Sequence, residues 1–229
     1  IEDNNTTGQF THQSYALLDT GVAADGDLAA VFKLLIAKGH RLVISDLPAA
    51  DLELISRLPE AQETTLLDIA TQDDRLRGKD CMSNVFHLQP SHAMKADALA
   101  QYLGKKRWQK WFLAVGESET DRLMSEAYKR AAKKFGAKIV AEKQWNYRFD
   151  DRRTPESEVP VFTQTSEYDV LIVTDELKLF SDFLPYRTWS PRPIAGAIGL
   201  VPVAWSRIPE AWGALQLQNR FQHMANRPM

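Results

Sequence analysis

The chain has almost no cysteine, no long apolar run and no excess of charge, and each absence narrows what it can be. Cys81 is the only cysteine among 229 residues. No disulfide can therefore close within the chain, and oxidation gives no sign of its compartment. No apolar stretch approaches the ~20 residues that span a bilayer, and no signal peptide is found. The opening "IEDNNTTGQF" reads as the tail of a helix entering a loop, so the missing leader is read as trimming. Lys and Arg number 28 against 30 Asp and Glu, a net charge of −2. That balance argues against nucleic-acid binding driven by a global positive field. Neither G-x-G-x-x-G nor G-x-x-x-x-G-K-[ST] occurs, so the standard dinucleotide and triphosphate signatures are missing.

What is present is a core-forming composition, 44% hydrophobic, in a chain long enough for two lobes of about 100 residues each. Asp25 and Asp27 can cap a helix that carries Leu28, Val31, Phe32 and Leu35 on one face and stops at Gly39. Short apolar strands follow at 41–45, 64–70 and 84–88, with a helix at 48–58 that starts on a proline. The pattern then repeats. Ser91 opens a helix that runs to Gly104, and "WFLAV" (111–115) is a strand. "SETD" (118–121) has the form of a capping box, leading into a Leu123, Ala127, Ala131, Phe135 stripe that ends at Gly136. Further strands are expected at 137–145, 168–174 and 194–205, with a loop over 146–160 and a helix near 176–184. Near-continuous apolar strands alternating with helices predict an α/β fold of two lobes, each a parallel sheet covered on both faces. The crossover is expected near 88–92.

Several motifs have an ordinary and a sharper reading. Cys81, His87 and His92 give C-x5-H-x4-H, which is no common zinc pattern, and zinc wants three or four ligands. The ordinary reading makes His87 a satisfied core histidine and Cys81 a small apolar residue in a connection. "GESET" (116–120) imitates a nucleophile elbow, but Thr120 stands where the second glycine belongs, and a helix-capping role for Ser118 is the simpler one. "KKRWQKW" (105–111) is basic and aromatic; it reads as a solvated helix end, with a protein-docking surface as the alternative.

In open α/β sheets, ligands bind outside the carboxyl ends of the strands. Those ends fall near Asp46–Ala49, Ala70–Gly78, Gly116–Asp121, Trp145–Arg153, Thr174–Glu176 and Pro202–Arg207. The expected binding set is Thr71, Arg75, Arg77, Ser118, Trp145, Arg152, Asp175 and Trp205. Arginines beside tryptophans suit a planar carboxylated ligand, through bidentate pairing and stacking. They equally suit pairing with the neighbouring Asp73, Asp74, Asp150 and Asp151.

"NVFHLQPSHAMKADALAQYL", "RTWSPRPIAGAIGLVPVAW" and "WGALQLQNRF", with "DDRLRGKDC", "RAAKKFGAKIVAEKQW" and "VPVFTQTSEYDVLIVTDE", resemble the type I periplasmic substrate-binding proteins of ABC transporters. More narrowly, they resemble the branch associated with pyrroloquinoline quinone (PQQ)-dependent alcohol dehydrogenase systems. The resemblance implies two Rossmann-like lobes, export to the periplasm, hinge closure on a ligand and no enzymatic activity. It also implies an ABC transporter permease and a PQQ-dependent dehydrogenase system as partners, and PQQ or a related planar polyacid as ligand rather than as a catalytic cofactor. Residues 1–90 would form the N-terminal lobe, with 206–229 returning to it, and 91–205 the C-terminal lobe, the whole trimmed at both ends. Amino-acid-binding relatives present small hydroxyl and backbone groups at positions matching Asp46–Ala49 and Ala70–Gln72. An acid and a proline at the first place count against a plain amino acid, which stays as the alternative ligand; a hydrolase using Ser118 is the alternative activity.

Overall fold

The computed structural model describes residues 2–14, 16–22, 26–146, 153–201, 205–206, 208 and 213–229. The chain divides into two compact units, one of residues 1–71 and 75–89, the other of 72–74 and 90–229.

The first unit begins with helix α1 (Glu2–Thr11) and helix α2 (Leu28–Ala37). Asp27 starts α2 by accepting the Ala30 amide on its side chain, while Asp25 lies outside the described residues. Strand β1 (Leu42–Ser45), helix α3 (Ala49–Ser56), strand β2 (Thr65–Asp68) and strand β3 (Val85–His87) complete it. The strands form a parallel sheet in the order β1-β2-β3. Its inner face sets Leu66 and Val85 against Phe32, Ile36, Leu52, Ile55 and Leu76. The opposite face departs from the expectation of cover on both sides. Ile44, Leu67 and Phe86 stand in register across it, and Ile44 and Phe86 are more than half exposed, as are Leu42 and Leu88.

The second unit has strand β4 (Lys110–Val115), strand β5 (Lys138–Gln144), strand β6 (Val170–Thr174) and strand β7 (Ile194–Ala195), parallel in the order β5-β4-β6-β7. Helix α4 (His92–Lys105) and helix α5 (Glu119–Phe135) bury Ala96, Leu103, Met124, Ala127 and Tyr128 against Trp111, Leu113 and Ile172. The alternate residues Phe112, Ala114, Leu171 and Val173 face the other way, onto Trp145, Val159, Phe162, Tyr168 and Phe180. Both faces are covered, which is why "WFLAV" and "VLIVT" are apolar throughout. Helix α5 carries the expected capping box and ends on Gly136 at φ 74, a left-handed position that glycine adopts without a Cβ penalty.

Four expectations need correction here. Helix α6 (Pro155–Phe162) lies inside the stretch read as loop, because Thr154 and Ser157 cap each other and Pro155 fits the first turn. The helix expected near 176–184 is instead a 3-10 turn, Ser181–Phe183, running into the short helix α7 (Leu184–Arg187). The strand expected over 194–205 is described only as the two-residue β7. Residues 206–229, expected in the first lobe, group with the second unit, and helix α8 (Ala214–Ala225) buries none of its side chains.

Trp145 is fully buried, stacked on Phe180 with ring centroids 4.6 Å apart. Trp145→Ala should destabilise the protein by about 3–5 kcal/mol in urea unfolding, the usual cost of deleting a core aromatic. A loss below ~1 kcal/mol would show that the ring does not serve this core.

Candidate functional site

The carboxyl edge of the first unit's sheet is polar, in contrast to the apolar strands that lead to it. Ser45, Asp68 and His87 are the last residues of β1, β2 and β3, and they stand in register on the helix-covered face. Asp68 is fully buried. One of its oxygens accepts the amides of Ala70 (3.1 Å) and Thr71 (2.9 Å), and the other lies 2.6 Å from His87 Nδ1. His87 Nε2 is 3.3 Å from the Leu76 carbonyl, so both ring nitrogens have partners, as expected of a core histidine.

Asp68 thereby turns the chain immediately after β2 and fixes Thr71 beneath it. The Thr71 and Ser45 hydroxyls are buried and have no hydrogen-bond partner among the described residues. Buried polar groups are nearly always paired, and leaving one unpaired costs about 1–3 kcal/mol. Two such hydroxyls at the carboxyl ends of adjacent parallel strands are therefore candidates for ligand contact. Thr71 was expected in this role; Ser45 was not, although a serine closing "RLVIS" is the polar end of an apolar strand and carries the same signal.

The arginines behave differently from expectation. Arg77 Nη2 donates to the carbonyls of Thr71 (3.1 Å) and Gln89 (2.6 Å). Arg75 pairs with Asp80 at 3.5 Å and is about half exposed. Both follow the alternative in which local acceptors take the guanidinium. Arg152 lies outside the described residues. Cys81 is exposed, not packed, because the turn that carries it leaves the sheet.

In the second unit the corresponding edge is largely closed by its own side chains. Ser118 Oγ accepts the Asp121 amide (3.0 Å), and Asp121 accepts the amides of Ser118 (3.1 Å) and Glu176 (2.8 Å). Burial raises the Asp121 carboxyl above its ordinary pKa, opposed by the Glu176 and Ser118 hydrogen bonds. This carboxylate occupies the amino end of α5, so the helix end has no opening for another anion. A Cβ on Gly116 would lie 2.4 Å from Asp121 Oδ2, which accounts for the glycine without a nucleophile elbow. No histidine hydrogen-bonds to Ser118 among the described residues.

Asp175 is fully buried and accepts the amides of Leu179 (2.9 Å), Phe180 (2.9 Å) and Ser181 (2.7 Å). It organises a turn and leaves no oxygen facing a ligand. Trp145 likewise leaves the expected set, because its ring face is taken by Phe180. Trp205 is half-buried, with an indole nitrogen that lacks a partner among the described residues, and the Thr174 hydroxyl at the end of β6 is buried and unpaired in the same sense. Trp111, in the basic aromatic cluster, is buried and donates its indole N–H to the Trp108 carbonyl (2.8 Å). Among the described residues no group of three or more His, Cys, Asp or Glu could hold a metal ion.

Comparison with known proteins places this architecture. Among curated proteins no sequence matches the chain. The leucine-, isoleucine-, valine-, threonine- and alanine-binding protein of Brucella ovis, in a closed conformation, superposes with a TM-score of 0.61 at 13% identity, over 88% of this chain and 58% of that one. A solute-binding protein of an ABC transporter from R. palustris, in complex with benzoate, gives 0.54 at 10% identity, over 88% and 60%. The branched-chain amino acid transporter substrate-binding protein LivJ of Streptococcus pneumoniae, in complex with isoleucine, gives 0.58 at 12% identity, over 99% and 70%. The chain thus spans less than two thirds of the first two relatives. The fold is that of type I periplasmic binding proteins, α/β with parallel sheets in two lobes. The sequence model for periplasmic binding proteins matches residues 14–151, more than half of the chain, and the chain accordingly belongs to the periplasmic binding protein family.

Proposed function

We propose that this chain is the solute-capturing component of an ABC importer, that it works in the periplasm, and that it anchors a small carboxylated molecule on the Ser45 and Thr71 hydroxyls. The observation that carries the proposal is the pair of buried, unpartnered hydroxyls at the ends of β1 and β2. Two hydroxyl donors match one carboxylate. Hydrogen bonds to a charged group contribute about 1.5–3 kcal/mol each, enough to fix orientation while the rest of the ligand supplies apolar contact. Benzoate and isoleucine, the ligands of two solved relatives, share that single carboxylate.

PQQ, with three carboxylates on a flat ring system, has less support. It would need free cationic forks and a stacking face, and in this chain Arg77 holds backbone carbonyls, Arg75 pairs with Asp80, and the Trp145 ring is covered. A small monocarboxylate is the preferred ligand class, and a link to a PQQ-dependent dehydrogenase rests on sequence resemblance alone. The protein is a binder and not a hydrolase on this reading, since the Ser118 hydroxyl is committed to capping its own helix.

Calorimetry with benzoate, isoleucine and PQQ tests the proposal. At least one monocarboxylate should bind at micromolar concentration, and Thr71→Val should weaken it about tenfold or more, roughly 1.4 kcal/mol. Failure of all three probes to bind, or an unchanged affinity in both Thr71→Val and Ser45→Ala, would refute it.

Ser118→Ala should lower stability by about 1 kcal/mol, the usual value of an N-cap, and leave ligand affinity unaltered. Ester turnover that disappears in this variant would support the hydrolase instead.

A further inference from the structure

The chain passes from one compact unit to the other three times, between residues 71 and 72, 74 and 75, and 89 and 90. Each side of these breaks carries its own set of hydrogen bonds. On the first-unit side one nitrogen, Arg77 Nη2, donates to the Thr71 carbonyl (3.1 Å) and the Gln89 carbonyl (2.6 Å). Those are the last first-unit residues before two of the three breaks. The Leu88 amide donates to the Asp68 carbonyl (2.8 Å), so the two segments leave the sheet side by side.

On the second-unit side, residues 72–74 are bonded to the first turn of α4. The Gln72 carbonyl accepts the His92 amide (3.0 Å), and its side-chain oxygen accepts from Lys95 Nζ (2.8 Å). Asp74 accepts the Ala93 amide (2.9 Å) and pairs with Arg130 (2.6 Å). The short segment between the first two breaks is therefore held by α4, while its flanks at Thr71 and Gln89 are held together by Arg77.

We infer that Arg77 is a positioning residue that fixes the separation of two chain crossings, so that motion of one unit against the other is confined to backbone rotation at the three breaks. A guanidinium suits this task because its planar fork presents several N–H groups in fixed directions and stays charged at every relevant pH. Strand-end carbonyls are acceptors that the sheet ladder leaves unused, and a charged donor shared by two of them ties the segments without ordering either one further. A few element-terminal residues that absorb all the dihedral change are the general form of a hinge. The inference rests on solute capture only for its biological use; its geometry and its test involve no ligand.

Nitroxide labels read the effect directly. Cys81, the chain's only cysteine, is exposed and lies in the first unit. A second label goes on Lys133→Cys, an exposed position of α5 in the second unit. Double electron–electron resonance on the ligand-free protein should give one narrow distance distribution, and Arg77→Gln should widen it about twofold as the crossings come apart. Arg77→Lys, which keeps the charge and loses the fork, should fall between the two, and it carries the test alone if Arg77→Gln does not fold. Widths equal to that of the parent protein in the variants that fold, or a broadening in Arg77→Gln that Arg77→Lys does not reduce, overturn the inference. Neither result bears on whether benzoate or isoleucine binds, so the two readings fail separately.

Discussion

The carboxylate of Asp68 is the constraint on which the first unit's edge depends. A buried carboxylate is tolerated only when its lone pairs are satisfied, and Asp68 meets this with two amides of its own loop and the imidazole at the end of β3. Each partner is in turn fixed. The Ala70 and Thr71 amides set the turn after β2, which buries the Thr71 hydroxyl and aims the Thr71 carbonyl at Arg77. His87 is tied through its second nitrogen to Leu76 and the 3-10 turn Arg75–Arg77. Replacing this one side chain would release the candidate ligand anchor and the loop carrying Arg77 together.

The second unit uses the same device with a different result. Asp175, one residue beyond β6, gathers the amides of Leu179, Phe180 and Ser181, and Asp121 gathers those of Ser118 and Glu176. In both units a buried acid at a strand's carboxyl end or a helix's amino end converts a flexible connection into a defined one. The difference lies in what remains unpaired. In the first unit two hydroxyls on neighbouring strands are left over, whereas in the second the acids fill the helix end and Thr174 is the remaining buried hydroxyl of that edge. Two adjacent donors can hold a carboxylate; a self-capped helix cannot.

Much of this fold was legible in the sequence. The parallel sheets, the α5 capping box and Gly136 follow from apolar runs, S-x-x-D and a glycine after a periodic stripe, all local signals. Helix α6 was missed because its cap pairs Thr154 with Ser157 inside a stretch whose charge and prolines read as loop. The bare face of the first sheet was equally illegible, since Ile44 and Phe86 look like core residues in any one-dimensional pattern. Thr71 could be placed near the site because position after a strand suffices to name it. The fates of Arg75, Arg77, Trp145 and Asp175 could not be read, because each depends on which acceptor or ring reaches it from a residue distant in sequence or across a turn. Trp145 shows this most clearly. It follows a strand and adjoins arginines, yet Phe162 and Phe180 enclose it.

The central claim is that the Ser45 and Thr71 hydroxyls hold a ligand carboxylate. A crystal structure of the protein grown with benzoate or isoleucine tests it most directly. The account predicts a carboxylate oxygen about 2.7 Å from Thr71 Oγ1, with the second carboxylate oxygen in hydrogen-bond reach of Ser45 Oγ. A bound ligand whose carboxylate lies elsewhere, with both hydroxyls still lacking a polar contact or turned onto other protein groups, would contradict it.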